Sequence, residues 1–155
     1  MVQLLRNNFL ESVHYGSAVV VRPENNTIIE WGDVDQMIFP RSALKIIQAI
    51  PFLESGAVSM HKLGTQQLAL ACSSHQGSPL HTTIISNWLK EIGLSVTDLK
   101  CGVQPPSDKL ERDRLRGIGV KPSELHNNCS GKHASFLTFS KHKNLSLEYL
   151  SLIHI

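Results

Sequence analysis

The apolar pattern of this 155-residue chain changes its period once, and that change limits what the chain can fold into. Between residues 11 and 32 the apolar residues alternate loosely or run β-branched; from Pro40 onward they recur three and four residues apart. Residues 11–21 (ESVHYGSAVVV) read as a strand, Pro23-Glu24-Asn25-Asn26 as a turn, and residues 27–32 (TIIEWG) as the returning strand. Together they predict an antiparallel hairpin. Pro40-Arg41-Ser42 then opens a helix with apolar positions at Ala43, Ile46, Ile47, Ile50 and Leu53, closed by Gly56. Pro51 is expected to kink its end.

Further helices follow at helical spacing. Thr65 to Cys72 predicts a short one. Pro79 suits the first turn of the next, which carries Ile84, Ile85, Trp88, Leu89 and Ile92 on one face and stops at Gly93. Residues 104–107 (QPPS) read as a loop and Asp108 to Arg116 as a charged, solvent-facing helix. Residues 126–131 (HNNCSG) are turn-like and lead into a helix from Lys132 to about Lys143. A hairpin followed by several helices makes the expected fold class α+β.

Composition removes several functions. Hydrophobic residues at 41% against 18% charged exclude a disordered chain and suit one buried core. A net charge of +2 with scattered basic residues gives no footprint for nucleic acid. Apolar stretches are broken every few residues, so none approaches the ~20 that a membrane helix needs. The N-terminus (MVQLLRNNFLESVHYG) lacks the pattern of a signal peptide. Three cysteines with no zinc-finger pairing then suggest free thiols or metal ligands in a reducing cytoplasm.

Three segments concentrate reactive side chains. Ser42-Ala43-Leu44-Lys45 matches S-x-x-K, which puts an amine one helical turn from a hydroxyl. A partly desolvated amine gives up its proton more readily, and Arg41 beside it pushes the same way; a neutral amine can then take a serine proton. The pattern alone is weak, because Ser59/Lys62 and Ser140/Lys143 match it too. Only Ser42 follows a Pro-Arg turn and opens an apolar helix, and an N-cap is its ordinary alternative. Residues 72–77 (CSSHQG) end a helix with hydroxyls, an imidazole and a glycine, either as a substrate loop or as a C-cap with Gly77 left-handed. Residues 126–133 (HNNCSGKH) hold a thiol, two imidazoles, two amides and an amine; Cys129 and His133 could meet on a helical face as metal ligands, or form a plain turn with a buried thiol.

Those segments, read at length as FPRSALKIIQAIPFLESGA, LALACSSHQGSPLH and LHNNCSGKHASFL, resemble the asparaginase II family of rhizobial-type L-asparaginases, with the ESVHYG and KCGVQPP stretches fitting as well. The resemblance covers about residues 3–148. It implies an α+β fold similar to serine β-lactamases and glutaminases, of which this chain would be an incomplete domain. It implies hydrolysis of L-asparagine to L-aspartate and ammonia, with Ser42 as nucleophile, Lys45 as its activating partner and Ser74 as a second active-site serine. Arg41, His75, Gly77 and Asn128 are the residues expected to bind substrate, and Cys129 and Lys132 to bind zinc in place of Cys129 and His133. A homodimer is expected of the full protein. The family's second-dyad lysine and third zinc ligand have no counterpart here, and residues 149–155 do not resemble it, so a truncated or misread frame and an inactive fragment are expected. Glutaminase or other acyl-serine chemistry is the alternative among enzymes, and a non-catalytic fragment the alternative outside them.

Overall fold

The computed structural model describes residues 2–24 and 26–149. They divide into two compact units, one up to Phe39 and one from Pro40. The first holds four strands, β1 (Val2–Arg6), β2 (Phe9–His14), β3 (Ala18–Val21) and β4 (Thr27–Trp31), arranged as two antiparallel pairs, β1 with β2 and β3 with β4. The expected hairpin is the second pair, running from Ala18 opposite Trp31 with an irregularity at Val20/Val21. Asn25 of its turn lies outside the described residues. The single strand expected over 11–21 is instead broken at Tyr15-Gly16-Ser17, and its first half pairs with a strand the apolar pattern did not predict. The signal for that strand is the Asn7-Asn8 turn. Both residues take positive φ (48° and 65°), which a two-residue hairpin loop demands and asparagine tolerates.

The second unit is helical. Its elements are α1 (Lys45–Glu54), α2 (Ala57–Met60), α3 (Thr65–Cys72), α4 (Pro79–Glu91), α5 (Lys109–Gly117) and α6 (Ser130–His142), with single 3₁₀ turns at Arg41–Leu44, Val96–Asp98 and Glu124–His126. Six helices and two small antiparallel sheets among the described residues make a mixed α/β protein compatible with the α+β class. α4 behaves as its sequence reads. Ser78 N–H bonds the ring of His81, Pro79 occupies the first turn, Gly93 follows the end at φ 69°, and Ile85, Trp88 and Leu89 are buried.

α6 runs through the middle and begins two residues before its expected start. Eight of its residues are buried, so it needs side chains that satisfy themselves. Thr138 Oγ1 bonds Ala134 O and Ser135 Oγ bonds Lys132 O, which lets small polar residues sit among Ala134 and Leu137. Phe52, Leu70, Trp88, Leu99 and Tyr149 close the core around it. Tyr149 is the last described residue; the rest of the tail expected to diverge, 150–155, lies outside the described residues.

Helix α1 departs from expectation in a way that matters for the site. Ile46, Ile47, Ile50 and Leu53, the predicted core face, are exposed, with Ile46 at 67%. The buried face is Lys45, Ala49 and Phe52. Both stripes have helical spacing, and the unit packs the one that carries the lysine against α3 and α6. Pro51 sits inside α1 without ending it, and Gly56 follows at φ 87°, a left-handed stop.

The start of α6 lies close against the backbone of α3. A Cβ added to Gly131 would lie 2.6 Å from the Leu70 carbonyl oxygen. Since that neighbour is backbone, a methyl can enter only by pushing the helices apart. Gly131→Ala is expected to cost about 1–3 kcal/mol. Gly117→Ala, with nothing within 4 Å of its added Cβ, should be neutral or slightly stabilising. Thermal unfolding of the two variants checks this, and equal midpoints would refute the close-packing account.

Candidate active site

Ser42 lies in the 3₁₀ turn that leads into α1, and Lys45 is the first residue of that helix. The Lys45 side chain is almost fully buried, at 2% exposure. Its amine donates to the Ser73 carbonyl at 2.8 Å and to Ser74 Oγ at 2.6 Å, and Ser74 Oγ donates to Ser42 Oγ at 3.1 Å. Ser42 and Ser74 are themselves exposed. A hydrogen-bonded line therefore runs from a buried amine to two hydroxyls at the surface. No ion pair of Lys45 with a carboxylate exists among the described residues. Ser42 does not cap the helix, because its hydroxyl is engaged by Ser74.

The line exists because α3 ends sharply. Ser73 leaves the helix in an extended conformation (φ −105°, ψ 166°), which turns its carbonyl and the next hydroxyl toward α1. The other two S-x-x-K matches build nothing comparable. Ser59 and Lys62 are both exposed, while Ser140 is buried and the Lys143 amine reaches Ser55 O. Context separated Ser42 from them in sequence, and geometry separates it again. Arg41, just before it, takes φ 47°, a left-handed backbone that costs a non-glycine residue about 1–3 kcal/mol.

His75 is buried at 5% exposure and both its ring nitrogens are used inside the chain. Nδ1 accepts from Gly77 N–H at 3.1 Å and Nε2 pairs with Ser130 Oγ at 2.9 Å. Burial first, and then the like charges of His81, Lys45 and His126, pull its pKa down to about 4. Gly77 takes φ 72°, and a Cβ there would lie 2.7 Å from His126 O. Asn128 offers its carbonyl to His75 N–H, and its side-chain oxygen accepts from Cys129 Sγ at 3.1 Å.

Lys132, half-buried, reaches Gln48 Oε1 at 3.5 Å and stands 5.6 Å above the Phe136 ring. Burial lowers its pKa, a charged Lys45 adds to that, and an ionised Cys129 opposes it. Cys129 and His133 share α6 geometry, but the His133 ring is bonded at 2.7 Å to the Tyr149 hydroxyl. Among the described residues no three of His, Cys, Asp and Glu converge on a metal position. Cys129 and Lys132 offer one sulfur and one nitrogen, so the described residues do not complete the four-ligand set of a structural zinc. Gln48, Ser130 and Tyr149 were not predicted. Gln48 alone had a signal, lying one turn after Lys45 on the same helix face.

Fold and site together define a mixed α/β protein whose paired surface hydroxyls are backed by a buried amine. The sequence matches the L-asparaginase II family over residues 2–155, and the chain belongs to that family. No curated protein matches it. No helix among the described residues is long and apolar enough to cross a membrane.

The depressed pKa of His75 has a defined consequence for stability. Between pH 6.5 and about 4 the unfolded chain binds a proton at this ring that the folded chain refuses. Stability from this group is therefore full above pH 6.5 and is lost as pH falls toward 4. The thermal midpoint should drop over that window more steeply in the wild type than in His75→Gln. Parallel curves for the two proteins would show that the ring is not held neutral.

Proposed function

We propose that the protein hydrolyses the side-chain amide of L-asparagine to L-aspartate and ammonia, with Ser42 as nucleophile. The observation that carries this is the line Lys45–Ser74–Ser42. Ser42 Oγ adds to the amide carbon as its proton passes to Ser74 Oγ and the Ser74 proton passes to a neutral Lys45 amine, both hydroxyls turning to reverse the hydrogen bonds of the resting site. Collapse of the adduct breaks the C–N bond. The proton on Lys45 returns along the line to the departing nitrogen, which leaves as ammonia. Water then adds to the ester on Ser42, giving its proton to Ser74 and Lys45, and that proton returns to Ser42 Oγ as the C–O bond breaks to release aspartate.

The family supports asparagine as substrate and, with the mixed α/β elements, a fold like that of serine β-lactamases. Glutamine is the nearest alternative, differing by one methylene. Three half-buried free thiols are consistent with a cytoplasmic setting. A second reading of the chemistry has one observation behind it: the amine touches Ser74, not Ser42, so Ser74 itself could attack.

Ammonia release from L-asparagine, L-glutamine and a β-lactam decides the substrate, and asparagine should be turned over fastest. Ser42→Ala and Lys45→Met should each lower kcat by several orders of magnitude. Ser59→Ala and Ser140→Ala should retain it. Rapid acid quench followed by peptide mapping should find the acyl group on Ser42; an acyl group on Ser74 would transfer the nucleophile's role to that residue.

A further inference from the structure

The loop that carries Ser74 and the loop that carries Asn128 and Cys129 are fastened together at one point. His75 N–H donates to Asn128 O at 3.1 Å, and Gly77 approaches the His126 carbonyl too closely to admit a side chain. Between these contacts lies the His75 ring. Gly77 N–H donates to Nδ1, so the proton of the neutral ring sits on Nε2 and is donated to Ser130 Oγ. Ser130 passes its own proton onward, to Leu125 O at 2.9 Å. Each ring nitrogen of His75 has one partner, the Ser130 hydroxyl has two, and Ser130 is fully buried. Neither side chain has room for a substrate.

We infer that His75 and Ser130 are positioning residues, a two-bond clamp that holds the Ser74 hydroxyl in register between Lys45 and Ser42. The clamp crosses from the end of α3 to the start of α6, so it sets the distance of Ser74 from the Cys129 loop as well. A neutral ring suits this role, because a protonated Nδ1 could not accept from Gly77. The inference rests on reading Ser74 as the relay between Ser42 and Lys45. Small displacements are enough to matter, since a shift of about 1 Å can cost on the order of a hundredfold in rate.

The test uses Ser130→Ala, His75→Phe and His75→Gln in the full chain, with asparagine turnover and amide hydrogen exchange measured on each. Glutamine can still donate to Ser130 from its amide nitrogen; phenylalanine keeps the bulk and loses both bonds. Ser130→Ala and His75→Phe should lower kcat at least tenfold with KM little changed, and His75→Gln should recover much of the loss. The amides of His75 and Gly77 should exchange at least tenfold faster in Ser130→Ala, while those of α4 stay protected. Ser130→Ala is the mildest change and keeps the test open if His75→Phe does not fold. Unchanged exchange at His75 and Gly77, or unchanged kcat in Ser130→Ala, would overturn the clamp. Faster exchange in Ser130→Ala, together with a wild-type protein that turns over no asparagine, would leave the clamp standing and reject the asparaginase reading instead.

Discussion

The amine of Lys45 is buried without a carboxylate beside it, and much of the helical unit is arranged around that fact. An ammonium in such a place must be solvated by dipoles or give up its proton, because the cost of an unpaired buried charge is several kcal/mol. The protein supplies one carbonyl and one hydroxyl, both from the residues that follow α3. For them to reach the amine, α3 must end abruptly at Ser73 and α1 must present its lysine-bearing stripe inward. The exposed isoleucines on the opposite face of α1 are the consequence. Burying Ile46 and Ile47 in place of Lys45 and Ala49 would gain apolar area and lose the site.

That choice explains which parts were legible from sequence. α4 was readable end to end, because Ser78-Pro79 and Gly93 are local signals and its apolar face is the only one it has. α1 was readable as a helix but not in orientation, since it has two stripes and periodicity cannot say which one the neighbours take. The strand over Val2–Arg6 was hidden because its evidence is the Asn7-Asn8 turn and not an apolar alternation. Ser42 and Lys45 were found through spacing and context. The contact that makes them a site, from Lys45 to a serine 29 positions later, is tertiary and leaves no mark in a local pattern. The same limit applies to His133, whose ring is claimed by a tyrosine 16 residues downstream.

Where the helices meet, glycine and small polar residues do what large apolar ones could not. Gly131 lets the start of α6 lie directly on the Leu70 carbonyl, one turn before α3 releases Ser73 and Ser74. Ser130, next to it, is small enough to be wholly buried and still pair with both His75 and Leu125 O. The two loops that carry the reactive groups are thus held by the helices they belong to and by a polar contact between them. An apolar residue in place of Ser130 would leave the His75 ring nitrogen and Leu125 O without this partner, at about 1–3 kcal/mol for each buried group.

Lys132 completes the electrostatic argument. It stands near enough to Lys45 that a charge there disfavours one on Lys132, and burial acts in the same direction. What favours a charged Lys132 is the Cys129 sulfur when ionised, with the Gln48 amide oxygen and the Phe136 ring as weaker partners. The two lysines are therefore placed for different tasks. Lys45 is held by a neutral carbonyl and by a hydroxyl that continues the line to Ser42. Lys132 stands beside the Cys129 sulfur, yet burial outweighs every neighbour and holds its pKa below the usual lysine range. Lys45 lies on α1 and Lys132 on α6, two helices packed against each other, so a charge on Lys45 makes a charge on Lys132 harder to hold.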